Sequence, residues 1–438
     1  MKEPNKPGMM VPLASGDLPL SAAGPAVTPI LKKALSGVEV SAAEAARLFD
    51  ATGPELAPLF AVADRLRAQA VGDAATYVVN RNINFTNVCV QHCGFCAFSR
   101  GHVADEGYYL PIEEVVRRAR EAAELGATEV CVQAGLAPGM DGRHYIELCR
   151  AIKAALPQMH VHGFSPEEVK YGAQLAGLSF AEYLGELKEA GLGTLPGTAA
   201  EVLVQSVRDV IAPGRITVDE WVELISAAHR LGIRSSSTMM YGHVETSAEK
   251  AAHLALLRDI QKETGGITEF VPLGFVWEEA PMSRKRTPPG LRHGPSGVET
   301  MKMYAVSRIM LHGHIPNIQV SWVKEGPKLA QLGLMAGAND LGGTLINESI
   351  STAAGAGHGQ LQTPAGLRAL AREMGRTPVE RSTTYEHLRT FSDPANDPLD
   401  PLDRVEDTTQ FGSYKELIKQ DDHRFKAQYQ NQNAKKDK

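Results

Sequence analysis

Short apolar runs alternate with longer amphipathic stretches over residues 76–350. The short runs are rich in β-branched residues, as buried strands are, and the stretches between them place apolar residues at helical spacing. The predicted strands are 83–85, 129–133, 160–164, 194–198, 234–240, 269–275, 317–322 and 339–345. Eight strands that alternate with helices over roughly 270 residues predict an α/β fold, specifically a (β/α)8 TIM-type barrel with parallel strands.

An open, doubly wound sheet is the alternative architecture for such an alternation. That fold normally carries a G-x-G-x-x-G loop directly after its first strand. Here the first predicted strand leads into a loop of cysteines instead. The pattern therefore favours the closed barrel.

The chain on either side of the barrel divides into further segments. Residues 1–25 are rich in Pro, Gly, Ala and Ser and are predicted to be disordered. Residues 26–75 form a predicted helical cap that contains a capping box at Ser41. We expect residues 351–420 to form an irregular C-terminal extension packed on the barrel, and the polar residues 421–438 to form a mobile tail.

The carboxyl ends of the predicted strands are unusually polar. In a (β/α)8 barrel these ends meet at one mouth, where active sites lie. The candidates are Gln133, His162, Ser165, Thr198, Glu201, Tyr241, His243, Glu245, Trp277, Glu278, Glu279, Ser321, Trp322, Asn347 and Glu348. Each could instead serve the core or the rim; His162, for example, has about even odds of being only a hydrogen-bonded core histidine.

Three cysteines, Cys89, Cys93 and Cys96, follow the first strand at a C-x3-C-x2-C spacing. Thiolates are the usual ligands of iron–sulfur clusters, which normally take four. Because only three lie together, one iron would lack a protein ligand and could bind another molecule. A structural zinc site with His92 as its fourth ligand is the alternative, but a ring inside the same loop would struggle to complete a tetrahedron.

The composition is that of an ordinary globular protein and narrows the possible functions. The 438 residues are 43% hydrophobic and 22% charged, with a net charge of −6. The sequence has no basic domain with clustered Lys and Arg, as nucleic-acid binding would require, and no apolar run is long enough to span a membrane. The chain shows neither a signal-peptide pattern nor a disulfide framework, so we expect a cytoplasmic protein. Cys131 and Cys149 have apolar or helical neighbours and are expected to be structural.

The cysteine loop, with the aromatic Phe95 before its last cysteine, resembles the radical S-adenosylmethionine (SAM) superfamily. Over residues 40 to 390 the chain further resembles the CofH-type subunit of FO synthase. The segments that carry this resemblance are Pro196–Glu201, Met239–Glu245, Phe270–Leu273, Glu278–Met282 and Gly337–Thr344. It implies a radical SAM barrel with a 4Fe–4S cluster on the three cysteines, whose fourth iron binds the amino and carboxylate groups of SAM.

The strand ends and this resemblance together suggest roles for individual side chains. The predicted cofactor-binding residues are Phe95, Gln133, Ser165, Thr198 and Glu201, and the predicted catalytic residues are Tyr241, His243 and Glu245. His243 is the candidate base that deprotonates the substrate amine, because a histidine titrates near neutral pH.

The reaction implied by the resemblance joins L-tyrosine to 5-amino-6-(D-ribitylamino)uracil, here called the ribityluracil. A 5′-deoxyadenosyl radical takes a hydrogen atom from tyrosine, the Cα–Cβ bond breaks to leave the two-carbon fragment iminoacetate, and a 4-hydroxybenzyl radical adds to the uracil ring. A companion radical SAM subunit of the CofG type then closes the ring to FO, the deazaflavin core of coenzyme F-420. The expected partners are therefore the two substrates, this companion subunit and a low-potential electron donor.

Two other functions remain open at this stage. An aminofutalosine synthase-like enzyme of menaquinone biosynthesis would bind an aromatic carboxylate and favour an arginine at the mouth, where the candidate strand ends carry none. A non-catalytic iron–sulfur electron carrier would need a fourth cluster ligand and no large barrel. Conversion of SAM to 5′-deoxyadenosine separates the enzymes from the carrier.

Overall fold

The computed structural model describes residues 20–425, and its centre is a parallel sheet of seven strands. The strands of the molecule are β1 (Ala74–Val78), β2 (Asn80–Ile83), β3 (Glu129–Val132), β4 (His160–Gly163), β5 (Thr194–Leu195), β6 (Arg234–Tyr241), β7 (Ile267–Gly274), β8 (Asn317–Ile318), β9 (Asp340–Gly343), β10 (Thr377–Arg381) and β11 (His387–Thr390). Strands β2 to β8 pair in chain order, as successive β/α units do.

The segment around β9 links the two edges of this sheet. Asp340 forms a parallel bridge to Gln319, just after β8, and Ile346 forms another to Arg81 on β2. All eight predicted barrel strands are therefore found, in the predicted order, and the barrel-type fold is confirmed.

Helices cover the outside of the barrel and its flanks. The α-helices are α1 (Gly24–Leu35), α2 (Ala42–Phe49), α3 (Leu56–Val71), α4 (Ile112–Glu124), α5 (His144–Ala155), α6 (Pro166–Ala176), α7 (Phe180–Glu189), α8 (Gln205–Ile211), α9 (Val218–Arg230), α10 (Ser247–Thr264), α11 (Pro281–Lys285), α12 (Gly297–Leu311), α13 (Trp322–Glu325), α14 (Pro327–Gly333), α15 (Ile350–Ala353), α16 (Pro364–Glu373) and α17 (Tyr414–Leu417). Helices α1 to α3 lie in the region predicted as a cap. There, α2 packs on α10 and α3 packs on α12.

A second sheet, in the order β11-β10-β1-β9, was not expected from the sequence. In this sheet β1 pairs with β10, and β10 pairs with β11. The C-terminal extension was predicted to be irregular, but it contributes these last two strands. Its side chains also reach the amino-terminal end of the barrel, where Thr383 donates to Glu129 (2.7 Å) and Tyr385 donates to Glu269. The extension therefore closes the end of the barrel that lies opposite the mouth.

Both predicted mobile ends are partly ordered. Residues 20–25 were expected to be disordered, but Leu20–Ala23 is a 3-10 helix and leads directly into α1. At the other end, Phe425 is buried against Val88 and Ala137, beside the cysteine loop. Apolar residues are therefore buried in two segments that were predicted, from their composition, to be disordered or mobile. The remaining parts of those two predictions, residues 1–19 and 426–438, lie outside the described residues.

No helix within residues 20–425 combines the length and apolar character needed to cross a bilayer.

Candidate active site

The cysteine loop is held in place by backbone hydrogen bonds to the neighbouring strand end. Gly135 donates to the carbonyl of Thr86 (2.9 Å), and Val90 donates to that of Leu136 (2.9 Å). On its other side the loop folds back on itself, since Arg100 donates to the carbonyl of Asn87 (2.8 Å). Backbone hydrogen bonds therefore anchor the loop on both sides, and its three thiols take no part in them.

A second set of contacts ties the loop to the far side of the mouth. Gly94 donates its N–H to Ile211 O (2.8 Å), and Met282 at the start of α11 donates to Gly94 O (2.7 Å). A Cβ on Gly94 would lie 3.2 Å from the Ile211 carbonyl oxygen, so the close approach favours glycine. The three cysteines thus sit between the first strand end and the loops after β5 and β7.

The thiols of Cys89, Cys93 and Cys96 face two adjoining cavities. The outer cavity, of about 710 Å³, opens past Arg100 and Arg284. The inner cavity, of about 170 Å³, extends toward the strand ends of the barrel. The three cysteines therefore border a space that is open on both sides.

The donor set fits a cluster better than a single metal ion. Among residues 20–425 no three His, Cys, Asp or Glu side chains converge closely enough to hold one ion, and His92 is exposed. A cubane cluster needs no such convergence, because each thiolate binds a different iron. Burial raises the pKa of the Cys93 thiol to about 12, so the charge of bound iron is needed to keep it as a thiolate.

The five predicted cofactor-binding residues all line the inner cavity: Phe95, Gln133, Ser165, Thr198 and Glu201. The Thr198 hydroxyl donates to Gln133 Oε1 (3.3 Å), joining two strand ends. Ser165 and Glu168 form the capping box at the start of α6. This position places Ser165 at the wall of the inner cavity. The geometry gathers these residues beside the thiols, and their contact with a cofactor stays a prediction.

Glu168 ties the walls of the inner cavity together, a role that the sequence did not suggest. Its carboxyl group accepts the backbone N–H groups of Ala134 (2.9 Å) and Ser165 (2.8 Å). Burial raises its pKa to about 7, although these hydrogen bonds pull in the opposite direction. The strand ends of β3 and β4 are thereby fixed to one another at the cavity wall.

Arg215 is a cation of the inner cavity that sequence reasoning missed. It lies in the loop between α8 and α9, away from any strand end. Its guanidinium group donates to Glu167 (3.1 Å) and Glu201 (2.8 Å) and stands 5.8 Å from the centre of the Phe95 ring. The candidate strand ends carry no arginine, as the sequence indicated, but this loop places one in the inner cavity.

The three predicted catalytic residues do not reach the mouth. His243 is fully buried, and its Nε2 lies 3.0 Å from the carbonyl of Met240. Tyr241 is also fully buried and donates to Thr300 (3.1 Å), while Glu245 accepts backbone N–H groups of the same turn. None of the three lines the inner or the outer cavity, because the turn after β6 directs His243 and Glu245 toward its own backbone; their catalytic role stays a prediction.

The other strand-end candidates have varied surroundings. His162 faces Thr194 (2.7 Å) inside the barrel, and burial lowers its pKa to about 4. Trp322 is core, whereas Trp277 is partly exposed and lies in a rim cavity of about 240 Å³. Cys131 and Cys149 lie apart from the loop, with Cys149 fully buried, in keeping with structural roles.

A further space of about 180 Å³, here called the apolar chamber, adjoins the inner cavity. The two share Cys96, Gln133, Thr198 and Glu201 on their common side. Away from the cysteines the chamber is mainly apolar, being lined by Met240, Leu273, Phe275, Val276, Ile350 and Ala354. The mouth therefore offers two adjoining spaces, one bordered by all three thiols and one that extends away from them.

Two family models match this chain. The model of the radical SAM superfamily matches residues 83–257, and the model of the CofH/MqnC C-terminal region matches residues 264–393. Together they cover the barrel and the first part of the extension.

Similar proteins agree with these matches. The 5-amino-6-(D-ribitylamino)uracil–L-tyrosine 4-hydroxyphenyl transferase of Methanothermobacter thermautotrophicus is 48% identical over 82% of this chain and 97% of its own length. One such transferase of Methanosarcina acetivorans is 51% identical over 76% of this chain and 88% of its own length. The FO synthase of Mycobacterium tuberculosis is 50% identical over 78% of this chain, but this match spans only 40% of that protein.

Solved structures with low sequence identity share the fold. Methylornithine synthase superposes with a TM-score of 0.60 at 18% identity, over 80% of this chain and 97% of the other. The FeFe-hydrogenase maturase HydG from Carboxydothermus hydrogenoformans gives 0.62 at 17% identity, over 82% and 80%. From the matched models and the close relatives, the chain belongs to the radical SAM superfamily and, within it, to the family of the 5-amino-6-(D-ribitylamino)uracil–L-tyrosine 4-hydroxyphenyl transferases.

Proposed function

We propose that this protein transfers the 4-hydroxybenzyl group of L-tyrosine to the ribityluracil, a step in the biosynthesis of FO and coenzyme F-420. The observation that carries the proposal is a three-thiol loop beside the inner cavity and the apolar chamber at the mouth of the barrel. The names of relatives at about half identity supply the substrates. The reaction makes the protein a transferase.

The predicted cofactors, a 4Fe–4S cluster and SAM, are confirmed by membership of the radical SAM superfamily. When bound, they supply the 5′-deoxyadenosyl radical that abstracts a hydrogen atom. Cys89, Cys93 and Cys96 would hold the cluster, and the polar residues of the inner cavity would hold SAM. The protein contributes binding, orientation and shielding, as cofactor enzymes do.

The arrangement of charges in the inner cavity suits a ligand with both an amine and a carboxylate. Glu201 and Arg215 present opposite charges side by side, and both line the cavity. Fixed partners of this kind orient a ligand without reorganisation during the reaction. The ion pair and Phe95 would then position the part of SAM that lies next to the cysteines.

The apolar chamber would give the reaction a space whose walls are mainly apolar. Its apolar walls accommodate a phenol ring, while Gln133 and Thr198 supply hydrogen-bonding groups on the side of the inner cavity. A dry chamber also removes competing hydrogen donors, which prolongs the life of a reactive intermediate. A tyrosine placed there lies next to the cofactor cavity.

The partner proteins belong to the proposal as well. More than half of the tuberculosis FO synthase lies outside the match, which supports the need for a further catalytic unit to complete FO. A companion radical SAM subunit of the CofG type would supply that unit. A low-potential electron donor would reduce the cluster from the outer cavity, where the cysteines adjoin open solvent.

The two rival functions have less support. The presence of Arg215 in the inner cavity removes the argument from the strand ends against an aminofutalosine synthase-like enzyme, so the names of the relatives decide against it. The relatives described above carry the transferase or FO synthase name. An electron carrier has no use for an apolar chamber beside its cluster.

The test is an anaerobic incubation of cluster-loaded protein with SAM, dithionite, tyrosine and the ribityluracil. We expect a new adduct only when both substrates are present, and 5′-deoxyadenosine only with intact cysteines. Cys93→Ala should lose cluster absorbance and SAM cleavage, whereas the control Cys149→Ala should keep both. SAM cleavage by a cluster-free Cys93→Ala protein would overturn the proposal.

A further inference from the structure

Lys324 is the one cationic side chain that lines the apolar chamber. It lies just beyond β8, on the short helix α13, and lines the rim cavity as well. Sequence reasoning had selected its neighbours Ser321 and Trp322, which are buried. Lys324 therefore stands between the cofactor side of the mouth and the rim.

The backbone of Lys324 is fixed from both sides. Trp322 is 1% exposed and donates its indole N–H to the carbonyl of Gly343 (3.0 Å). On the other side, the carboxyl group of Glu325 accepts hydrogen bonds from the hydroxyls of Tyr241 (3.2 Å) and Tyr304. Because its neighbours are anchored, the ammonium group is presented from a rigid support, which favours a binding role.

Within the part of the chain that the structure describes, Lys324 has carboxylates near it but no ion pair. Its ammonium group donates to Ser351 Oγ (3.1 Å), and Glu348, Glu201 and Glu325 act on its charge from beyond ion-pair distance. Arg215, the cation of the inner cavity, is by contrast paired with two glutamates. An ammonium group has three donors, so Lys324 retains donors for a ligand.

The lining of the chamber fits an amino acid with an aromatic side chain. Met240, Leu273 and Phe275 offer contact to a ring, and Lys324 offers a positive charge. A buried carboxylate is costly unless it is paired, so a chamber for an amino acid needs such a cation.

We propose that the Lys324 ammonium group binds the α-carboxylate of the tyrosine substrate and thereby holds its amine and Cα toward the cofactor cavity. This inference rests on the proposed function. The ribityluracil is a neutral polyol and gains little from a cation, whereas the carboxylate is one bond away from the carbon whose bond is broken. Lys324 is thus a residue that selects an amino acid over the corresponding amine.

The test compares tyrosine with tyramine, which lacks only the carboxylate. Equilibrium dialysis is run on cluster-loaded protein with SAM and without reductant, so that binding is measured in the absence of turnover. Lys324→Met should weaken tyrosine binding by about 10²-fold, the effect of removing one partner of a buried charge pair, and leave tyramine binding unchanged. Lys324→Arg should retain part of the preference for tyrosine.

The ratio of tyrosine to tyramine affinity does not depend on the folded fraction, so a less stable variant still gives an answer. The control is Lys262→Met, which removes a lysine paired with Glu39 on the outer helix α10 and should keep the wild-type ratio. An unchanged ratio in Lys324→Met would overturn the inference, as would a selective loss of ribityluracil or SAM binding. Failure of the proposed function would appear separately, as a wild-type protein that binds tyrosine but forms no adduct.

Discussion

Gly135 shows how closely the backbone around the cluster loop is packed. A Cβ at this position would lie 2.8 Å from the carbonyl carbon of Val88 and 3.2 Å from that of Asn87. These are backbone atoms of the cysteine loop, so the loop would have to move as a whole. The position therefore requires glycine because of close approach rather than backbone conformation.

Gly135→Ala should consequently displace the thiols and reduce cluster binding. We expect a loss of stability of about 1–3 kcal/mol from overpacking, together with a lower iron content after reconstitution. Gly101→Ala is the matched control, since no atom lies within 4 Å of its added Cβ. Iron analysis and urea denaturation of both variants check the prediction, and wild-type values for Gly135→Ala would contradict it.

Glu325 makes the stability of the protein depend on pH. Burial raises the pKa of its carboxyl group from 4.5 to about 7. The folded protein thus holds this proton more tightly than the unfolded chain does, so the stabilisation is complete below pH 4.5 and is lost as the pH rises through 7.

Glu325→Gln cannot titrate and should not show this loss. Between pH 4.5 and 8 the wild-type protein should lose about 3 kcal/mol of unfolding free energy relative to the variant. Urea denaturation of both proteins across this range measures the difference. A difference that stays constant with pH, or that grows in favour of the wild type, would show that Glu325 is ionised when buried.

Individual side chains were only partly predictable. The residues of the inner cavity were found because strand ends of a barrel meet at one place. The role of His243 stays a prediction: its ring is fully buried, because a position at a strand end does not fix the direction of a side chain. Arg215 and Lys324 were missed because neither lies at a strand end. Arg215 lies in the loop between α8 and α9, and Lys324 lies on α13, several residues after β8.

Helix starts were the most predictable elements, because their signal is local. The capping box predicted at Ser41 is present, and the structure shows the same motif at Ser165 and Thr217. Strands β10 and β11 were missed since they are polar, and β11 is exposed along its whole length. Their place is set by partners far along the chain, which a local pattern does not contain.

The end of β10 contributes a buried ion pair to the closed end of the barrel. Arg381 binds Asp340 with two nitrogens, and Asp340 is fully buried on β9. Arg381→Met should therefore leave a buried carboxylate unpaired and cost about 3–5 kcal/mol of stability. Chemical denaturation measures this cost.

A second substitution separates the ion pair from simple packing. Adding Asp340→Asn to Arg381→Met should recover part of the loss, because the unpaired charge is removed. The control Arg117→Met breaks an exposed pair with Glu114 and should cost at most about 1 kcal/mol. A loss in Arg381→Met no larger than that of the control would contradict the role of the pair.

At the scale of the molecule, periodicity predicted the barrel because each β/α unit repeats the same pattern. The cysteine spacing identified the chemistry because three thiolates leave one iron without a protein ligand. The division of the mouth into an inner cavity and an apolar chamber was not predictable. It depends on how side chains from distant parts of the chain, such as Phe95 and Ala354, pack together. In the proposed function, these two spaces hold SAM and tyrosine side by side.

The most direct test of the account follows two carbons of tyrosine through the reaction. Cluster-loaded protein is incubated anaerobically with SAM, dithionite, the ribityluracil and tyrosine that carries carbon-13 at either Cβ or Cα. The account predicts the Cβ label in the uracil adduct, the Cα label in the two-carbon fragment, and one 5′-deoxyadenosine per adduct. An adduct that retains the Cα label, or SAM cleavage without any adduct, would contradict it.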